Sequence, residues 1–468
     1  MKKLPFRADH VGSLLRTDEV KLNRLRWKKG EITAAELREI ENIGIAETVK
    51  KLESIGMKSI TDGEFRRDYF HLDFLKELAG VTVTGGIEAN PNAKAAEDGF
   101  TPPKLSVTGK LAHVKDIQVD DFNFLKSVTT QTPKVSIPSP TMVHFRGGRA
   151  SIDINSYPDL DEFFHDLSKA YRQEIDHLYQ NGLRYLQLDD TNLAYLCDPK
   201  MRAAAKERGE DPDELPRTYA ALINSVIDDR PDDLTVGIHL CRGNYRSTWF
   251  AEGGYEPVAE ILFNQINVDG YFLEYDDERS GDFDPLKAVP RGVKVVLGLV
   301  TTKFPRLEAA DDLVRRIDEA SKYIPLDDLA IIVHQKIGAI AVQHAGAATG
   351  DRGRMLSLGP EAEARRLDAD DLDVLVVEEG MEQAHGIGAA ADGRDERVRQ
   401  AALALQHLRL GLAADHRLEV AHHLRIGRGP CDGADAVECV LDIGDPVAQR
   451  LVERVLQRAR ARERGHHF

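Results

Sequence analysis

Short apolar runs alternate with longer amphipathic segments over residues 1–330. Between most runs the apolar residues recur at helical spacing, as in residues 35–56 and 159–182, the second ending at Asn181-Gly182. Strand and helix in repetition favour a parallel α/β fold, because parallel strands need crossover helices. An eighth run begins at residues 326–333, so the sequence predicts a (β/α)8 TIM-type barrel. The first seven runs are DHVGSLL, MKSITDGE, PKVSIPSP, LRYLQLDD, LTVGIHLC, VDGYFLEYD and VKVVLGLVT.

Two parts of the chain depart from this alternation. Residues 80–132, between the second and third strands, are rich in Gly, Pro and Asn and predict an insertion after strand 2, with a hairpin at KLSVTGKL. Residues 331–468 hold a single aromatic residue, Phe468, and a single lysine, Lys336, against 17 arginines. Such a shift predicts a domain boundary. The atypical segment fits a small Ala/Leu/Val-rich helical domain or, as we favour, foreign sequence that packs poorly.

Polar residues follow each apolar run. In a TIM-type barrel the carboxyl ends of the strands meet at one mouth, where the chemistry takes place. Strand ends are also polar simply because loops begin there, but this does not explain a His-x-Cys pair followed one strand later by a glutamate. The residues are Gly12 and Ser13, Asp62 to Glu64, Ser136 to Ser139, Asp189 and Asp190, His239 and Cys241, Glu274 and Asp276, and Thr301 to Lys303.

The segment VGIHLCRGNY is typical of a metal site. His239 and Cys241 are two residues apart, so a strand presents both on one face. With Glu274 of the next strand they offer nitrogen, sulfur and oxygen donors, a set that favours Zn²⁺. The alternative is that Cys241 is a core residue, since free cysteine is often buried. A zinc-bound thiol is deprotonated, so the site suits alkyl transfer to a thiol substrate, or hydrolysis by bound water.

Overall charge and the remaining patterns exclude several classes of protein. The net charge of −16 disfavours a nucleic-acid partner. No apolar run approaches the ~20 residues of a membrane helix, and the N-terminal residues lack the apolar core of a secretory signal. Four cysteines in 468 residues make no disulfide framework, so we expect a cytoplasmic protein.

Five segments together resemble the cobalamin-independent methionine synthase family, in particular its single-barrel members, over about residues 5–330. They are HVGSLLR, DGEFRR, QLDDTNLAYL, GIHLCRGN and FLEYDDERSGDFDPL. The resemblance implies a zinc-dependent methyltransferase that moves a methyl group to the thiolate of homocysteine and makes methionine. It implies that Gly12, Ser13, Glu64 and Asp189 bind homocysteine, and that His239, Cys241 and Glu274 are three of four zinc ligands.

The roles of the two substrate carboxylates have alternatives. By resemblance, Glu64 and Asp189 hold the ammonium group of homocysteine, where two carboxylates make electrostatic sense. Glu64 could instead be a carboxylate at a helix N-terminus, and Asp189 an ordinary strand-end cap. Alkyl transfer to another small thiol is the competing activity, although a thiol without an amine would not need these carboxylates.

The methyl donor is left open by a departure from the family. Full-length members carry a proton-donating histidine after the seventh strand, whereas Lys303 of GLVTTKFP stands near that position here. We therefore predict Lys303 as the catalytic residue. The matching segments also lack the additional N-terminal barrel of the long enzymes. The methyl donor is then a methylfolate or another methyl carrier.

The fourth zinc ligand of the family is a cysteine just after the eighth strand. Here that stretch reads LAIIVHQKIGAI, and the next cysteine is Cys431. His334 could substitute, or Cys431 or Cys439 could fold back, but we expect a weakened site with three protein ligands. Because the break coincides with the change in composition, the remaining alternative is a catalytically impaired fusion protein.

Overall fold

The computed structural model describes residues 4–84, 103–244, 249–303 and 308–333. Residues 331–333 end the described part, so the predicted C-terminal segment and its residues His334, Cys431 and Cys439 lie outside it. The strands of the described residues are β1 Ala8–Asp9, β2 Ser59–Ile60, β3 Ala79–Thr84, β4 Lys104–Ala112, β5 Thr132–Pro133, β6 Val135–Pro138, β7 Tyr185–Asp190, β8 Thr235–Leu240, β9 Gly270–Glu274, β10 Lys294–Gly298 and β11 Leu329–Ile332.

Helices separate most of these strands, as the alternating pattern predicts. No helix in the described residues is long and apolar enough to cross a membrane. The helices are α1 Asp18–Lys28, α2 Ala34–Ser54, α3 Leu72–Leu75, α4 Val119–Val128, α5 Leu160–Gln180, α6 Asn192–Tyr195, α7 Pro199–Glu207, α8 Leu215–Ile227, α9 Ala259–Gln265 and α10 Ala310–Ala320.

Seven strands form one curled parallel sheet in the order β1-β11-β10-β9-β8-β7-β6. The predicted eighth strand is therefore present as β11, between the first strand and β10. The short strands β2 and β5 form a separate parallel pair. Side chains join this pair to the first strand: Ser59 Oγ donates to Asp9 Oδ1 at 2.6 Å, and Thr61 Oγ1 donates to the Gly12 carbonyl at 2.7 Å. The parallel α/β architecture is confirmed.

Helix α5 illustrates how the sequence sets an element. The Asp159 side chain accepts from the Asp161 backbone N–H and begins the helix, and Asn181 ends it. Gly182 follows at φ +104°, a conformation that costs glycine little. The helix buries one face, which carries Phe163, Leu167, Tyr171, Ile175 and Leu178.

The insertion contains an antiparallel strand pair and a helix. Strand β3 pairs with β4, and α4 follows, while residues 85–102 lie outside the described residues. The segment KLSVTGKL is a single strand rather than the predicted hairpin. Its Thr-Gly step lies opposite Gly80, where a Cβ would come within 2.5 Å of the Lys110 carbonyl oxygen. Gly80 thus permits the close approach of the two strands, and Gly109 lies within β4 and not in a turn.

The sheet separates two apolar layers. Leu186 and Leu188 of β7 belong to the large cluster between sheet and helices, whereas Tyr185 belongs to a smaller cluster with Phe272 and Val296 on the other face. This alternation is the period of two expected for a strand. Residues 187 and 189 therefore share the face of Tyr185, on the concave side of the sheet.

A buried ion pair lies on this concave side. Asp9 and Lys134 are fully buried, and Lys134 Nζ is 2.9 Å from Asp9 Oδ1. The Asp9 carboxylate also accepts from Ser59 Oγ at 2.6 Å and Tyr185 Oη at 2.8 Å. Burial opposes ionisation, but Lys134, His10 and the Ser59 hydroxyl keep the pKa of Asp9 below its usual value. Lys134 Nζ donates further to Gln187 Oε1 at 3.1 Å, so the pair connects β1 with β7.

His144 gives the fold a testable pH dependence. It is buried against Tyr219 Oη at 3.0 Å, and burial, followed by the charges of Arg208 and Arg149, lowers its pKa to about 4. An unfolded histidine titrates near 6.5, so the unfolded chain binds a proton first as the pH falls. Between pH 7 and pH 4 we expect wild type to lose about 3 kcal/mol more unfolding free energy than His144→Gln. Denaturant titrations measure this, and the exposed control His165→Gln should follow wild type; equal pH dependence of all three proteins would contradict the prediction.

Candidate active site

His239 and Asp189 lie side by side near the carboxyl ends of neighbouring strands. They are register partners of β8 and β7. His239 Nδ1 is 3.3 Å from Asp189 Oδ1, and both side chains are about 15% exposed. A carboxylate on one ring nitrogen orients an imidazole and leaves Nε2 for a ligand. The predicted metal ligand and the predicted substrate carboxylate are thus in contact.

Cys241 follows β8 directly. Its backbone N–H donates to the Asp190 carbonyl at 3.0 Å, which continues the strand direction, so Cys241 keeps the face of His239. The Gly243 N–H lies 3.3 Å from Sγ. Burial, and then the charge of Glu274, raises the pKa of the Cys241 thiol to about 12. The thiol is therefore protonated at neutral pH, although the charge of Lys303 opposes this rise in pKa.

Glu274 ends β9 and is held by two donors. The Arg242 backbone N–H donates to Oε2 at 2.8 Å, and Arg279 Nη2 donates to Oε1 at 2.6 Å. Burial opposes ionisation, but the charges of Lys303, Arg279 and Arg242 keep the pKa of Glu274 well below its usual value. Glu274 is thus a carboxylate at neutral pH, beside the Cys241 thiol.

Lys303 is a buried cation at the same mouth. Its side chain belongs to a residue only 5% exposed, and Nζ donates to the Gly243 carbonyl at 3.2 Å. The positive charge lowers the pKa of both Cys241 and Glu274. Lys303 therefore interacts electrostatically with two of the three predicted metal ligands.

The donor set fits a zinc ion chemically. An imidazole nitrogen, a thiol that a metal would deprotonate and an ionised carboxylate come from adjacent strand ends. Among the described residues, however, the three ligand atoms found within 4.8 Å of one another belong to a different group, His113, Asp116 and His177. His239, Cys241 and Glu274 would have to draw together around an ion, and Arg279 would have to share Glu274.

Glu64 lies in a turn next to Gly12. Its φ is +58°, and the next described helix, α3, begins only at Leu72, so Glu64 is not a carboxylate at a helix N-terminus. A Cβ added to Gly12 would lie 2.6 Å from Glu64 Oε1, which shows how closely the two residues approach. The glutamate is about 10% exposed, its Oε2 forms an ion pair with Arg67, and its Oε1 has no hydrogen-bond partner among the described residues. Ser13 is exposed beside Gly12.

A cavity of about 60 Å³ connects two of the predicted substrate residues, Glu64 and Asp189. Its lining includes Glu64, Arg67, Ser136 and Asp189. Asp189 thus faces the cavity that Glu64 lines and also contacts His239. The predicted substrate and metal residues meet through this aspartate.

Sequence reasoning missed the residues that hold the site in place. Gln187 Nε2 donates to Asp189 Oδ1 at 2.7 Å and to the Val11 carbonyl at 2.6 Å. Arg279 binds Glu274, and Arg67 binds Glu64. All three belong to the segments that carry the resemblance, QLDD, DERSG and DGEFRR. A buried carboxylate needs a partner, and this rule would have pointed to the two arginines.

Comparisons with known proteins identify the family of this chain. Residues 6–332 match the family described as Cobalamin-independent synthase, Catalytic domain. The uncharacterized protein YxjH of Bacillus subtilis is 46% identical over 335 residues, which cover 70% of this chain and 86% of that protein. The methionine synthase of Pyrococcus abyssi is 26% identical, over 63% of this chain and 75% of its own length.

A solved structure supports the same relationship. It is provisionally named a vitamin-B12 independent methionine synthase, from Listeria monocytogenes. It is 41% identical, with a TM-score of 0.57, and the alignment covers 71% of this chain and 92% of that one. The family match ends at residue 332, next to the predicted boundary. This chain belongs to the cobalamin-independent methionine synthase family, and its matching residues correspond to the catalytic domain of that family.

Proposed function

We propose that this chain is a zinc-dependent methyltransferase that moves a methyl group to the thiolate of homocysteine and yields methionine. The observation that carries the proposal is the position of Asp189, which contacts the candidate ligand His239 and lines the cavity of Glu64. A thiol-activating centre and an ammonium-binding centre thus share one residue. A substrate with both groups suits such a site.

His239, Cys241 and Glu274 would hold the zinc ion. Bound zinc keeps a thiol substrate deprotonated and nucleophilic near neutral pH. Arg279 and the Arg242 backbone N–H fix the Glu274 carboxylate in its ionised form. Asp189 orients the His239 ring through Nδ1.

Glu64 and Asp189 would bind the substrate ammonium group. Glu64 Oε1 has no hydrogen-bond partner among the described residues, so this oxygen is available as an acceptor. Arg67 now neutralises this carboxylate, and an arriving ammonium group would take over part of that role. Gly12, with Ser13 beside it, leaves room for the substrate backbone, because any larger residue at position 12 would meet Glu64.

Lys303 would supply the proton that the reaction needs. The sulfur–carbon bond forms as the methyl–nitrogen bond of a methylfolate breaks, and the leaving nitrogen takes a proton. Support comes from the burial of Lys303 and from the action of its charge on Cys241 and Glu274. A methyl group on another carrier is the alternative donor.

The domain organisation belongs to the same proposal. We take residues 1–330 as an eight-stranded barrel, with β2 as its second strand, and residues 331–468 as a separate segment. The family's cysteine after the last strand has no counterpart in VHQKIG, so a weakened zinc site is expected. Alkyl transfer to another small thiol, or an impaired fusion protein, remains the competing hypothesis.

The first test combines an assay with a charge-neutral variant. Purified full chain is incubated with zinc, homocysteine and either a methylfolate or a methylated corrinoid, and methionine is quantified. Asp189→Asn is expected to raise KM for homocysteine about 10- to 100-fold, since hydrogen bonds to a charged group contribute roughly 1.5–3 kcal/mol. Asp232→Asn, on an exposed aspartate, is the matched control and should resemble wild type.

A thiol without an amine separates the two enzyme hypotheses. If the carboxylates bind the ammonium group, 3-mercaptopropionate should be a poor methyl acceptor for wild type. In Asp189→Asn the difference in kcat/KM between homocysteine and 3-mercaptopropionate should be smaller. Equal use of both thiols by wild type would favour the other alkyl transferase. Methionine formation from neither donor would overturn the proposed activity for this chain.

A further inference from the structure

A second group of metal-binding side chains lies away from the candidate active site. His113 follows β4, Asp116 lies three residues later, and His177 belongs to the last turn of α5. Each offers one ligand atom, and the three atoms lie within 4.8 Å of one another. The end of α5 leads into the start of β7, so this group, the lower histidine cluster, lies at the opposite end of that strand from Asp189.

The two imidazole rings are held against each other. The centroids of His113 and His177 are 5.2 Å apart and the rings are nearly perpendicular, at 84°. His177 Nδ1 lies 2.6 Å from Asp116 Oδ1. The side chains of His177 and Asp116 are 44% and 49% exposed, so the lower histidine cluster is open to ions from solvent.

A buried carboxylate orients the third ligand. His113 Nε2 lies 2.6 Å from Glu174 Oε2, and the Glu174 side chain is fully buried. Glu174 also accepts from the backbone N–H groups of Ile117 and Gln118, at 3.0 and 2.7 Å. A carboxylate fixed by backbone donors therefore binds one nitrogen of His113 and leaves Nδ1 for a metal. Carboxylate, histidine and metal in sequence is the usual outer-shell arrangement of metal sites.

The negative charge of this region favours a cation. Glu174 and Asp116 contribute two carboxylates next to the two imidazoles. Lys115 Nζ forms an ion pair with Glu77 Oε2 at 2.5 Å. Two imidazoles and a carboxylate are ligands of Zn²⁺, Co²⁺ and Ni²⁺ rather than of Mg²⁺ or Ca²⁺. Three protein ligands leave at least one position for water.

We propose that His113, Asp116 and His177 form a second binding site, for a divalent transition metal, independent of the active-site zinc. The three ligand atoms would have to move only slightly closer together to bind one ion, because zinc–nitrogen bonds are about 2.0–2.1 Å long. Asp116 and His177 are exposed and can make this small movement, whereas Glu174 keeps His113 in place. The ion would tie the segment after β4 to the end of α5.

Equilibrium dialysis against Zn²⁺ and Co²⁺ tests the site on the full chain. Wild type, His177→Gln and Asp116→Asn are compared with His165→Gln, which removes an exposed histidine from the other end of α5. His177→Gln and Asp116→Asn are expected to bind one metal ion fewer per chain, or to bind it at least tenfold more weakly. The control His165→Gln should match wild type. Histidines elsewhere in the chain contribute equally to all proteins, so only the differences count.

Cobalt spectroscopy distinguishes this site from the active site. A cobalt ion on Cys241 gives a thiolate charge-transfer band, which His177→Gln should leave unchanged, whereas ligand-field absorption from nitrogen and oxygen ligands should decrease. Circular dichroism checks that the variants are folded. If folded His177→Gln and Asp116→Asn bind as much metal as His165→Gln, with equal affinity, the inference is wrong and the cluster is only a pair of hydrogen bonds.

Discussion

A Lys134→Met variant is expected to unfold with about 3–5 kcal/mol less free energy than wild type, because removing one partner of a buried ion pair leaves an uncompensated charge. The partner is Asp9, which is fully buried with it. Methionine fills a similar volume, so the loss reflects charge more than cavity formation. Urea titration followed by tryptophan fluorescence measures the effect. The two tryptophans of the chain are Trp27 and Trp249, so the signal comes from the part before residue 331.

The exposed pair of Lys76 with Asp73 provides the control. Lys76 is 48% exposed, and Lys76→Met should cost less than about 1 kcal/mol. The double variant Asp9→Asn with Lys134→Met should recover part of the loss, since it leaves no unpaired charge. A Lys134→Met effect as small as that of Lys76→Met would contradict the buried pair.

Cys241→Ser is expected to remove zinc from the active site and to abolish methyl transfer. A hydroxyl is a far poorer zinc ligand than a thiolate, and only His239 and Glu274 would be left. We expect an affinity loss greater than the about 10- to 100-fold that follows removal of an outer-shell partner. Zinc per chain is measured after dialysis against a weak chelator, together with the cobalt charge-transfer band.

Cys197→Ser is the matched control for this prediction. Cys197 is the other cysteine in the described residues; it is buried, and its Sγ contacts the Leu193 carbonyl at 3.5 Å. That variant should keep its zinc and the cobalt band. Zinc retained by Cys241→Ser would exclude Cys241 as a ligand. Zinc absent from wild type as well would show that three ligands are too few, and the family's activity should not be assigned to this chain.

Local periodicity predicted the elements and the orientation of their side chains. Seven of the eight apolar runs correspond to strands of the parallel sheet, whereas the second corresponds to β2, which pairs with β5 instead. The spacing of His239 and Cys241 agrees with the backbone hydrogen bond that continues β8 to Cys241. The first two strands are shorter than the runs that predicted them, with two residues each. The hairpin expected at KLSVTGKL is a single strand because its partner, β3, comes from another segment. Pattern reasoning has no access to that partner.

Long-range pairs could not be predicted from local pattern. Lys134 and Asp9 are 125 residues apart, and an isolated lysine in an apolar run reads as a strand boundary. The contact of Asp189 with His239 depends on the register of β7 and β8, which no short window fixes. Family resemblance named the candidate ligands without their partners, such as Arg279 on Glu274.

The hydrogen bonds of Gln187 give the chain a built-in trade-off. The amide oxygen accepts from Lys134 and the amide nitrogen donates to Asp189. The stability of the buried ion pair and the position of the proposed substrate carboxylate therefore depend on the same side chain. Selection for thermostability is therefore expected to retain the residues of β7 and to yield stabilising substitutions on the outer helices. A library of Asp189 variants that is screened for activity with a new acceptor thiol should therefore be built on a stabilised parent protein.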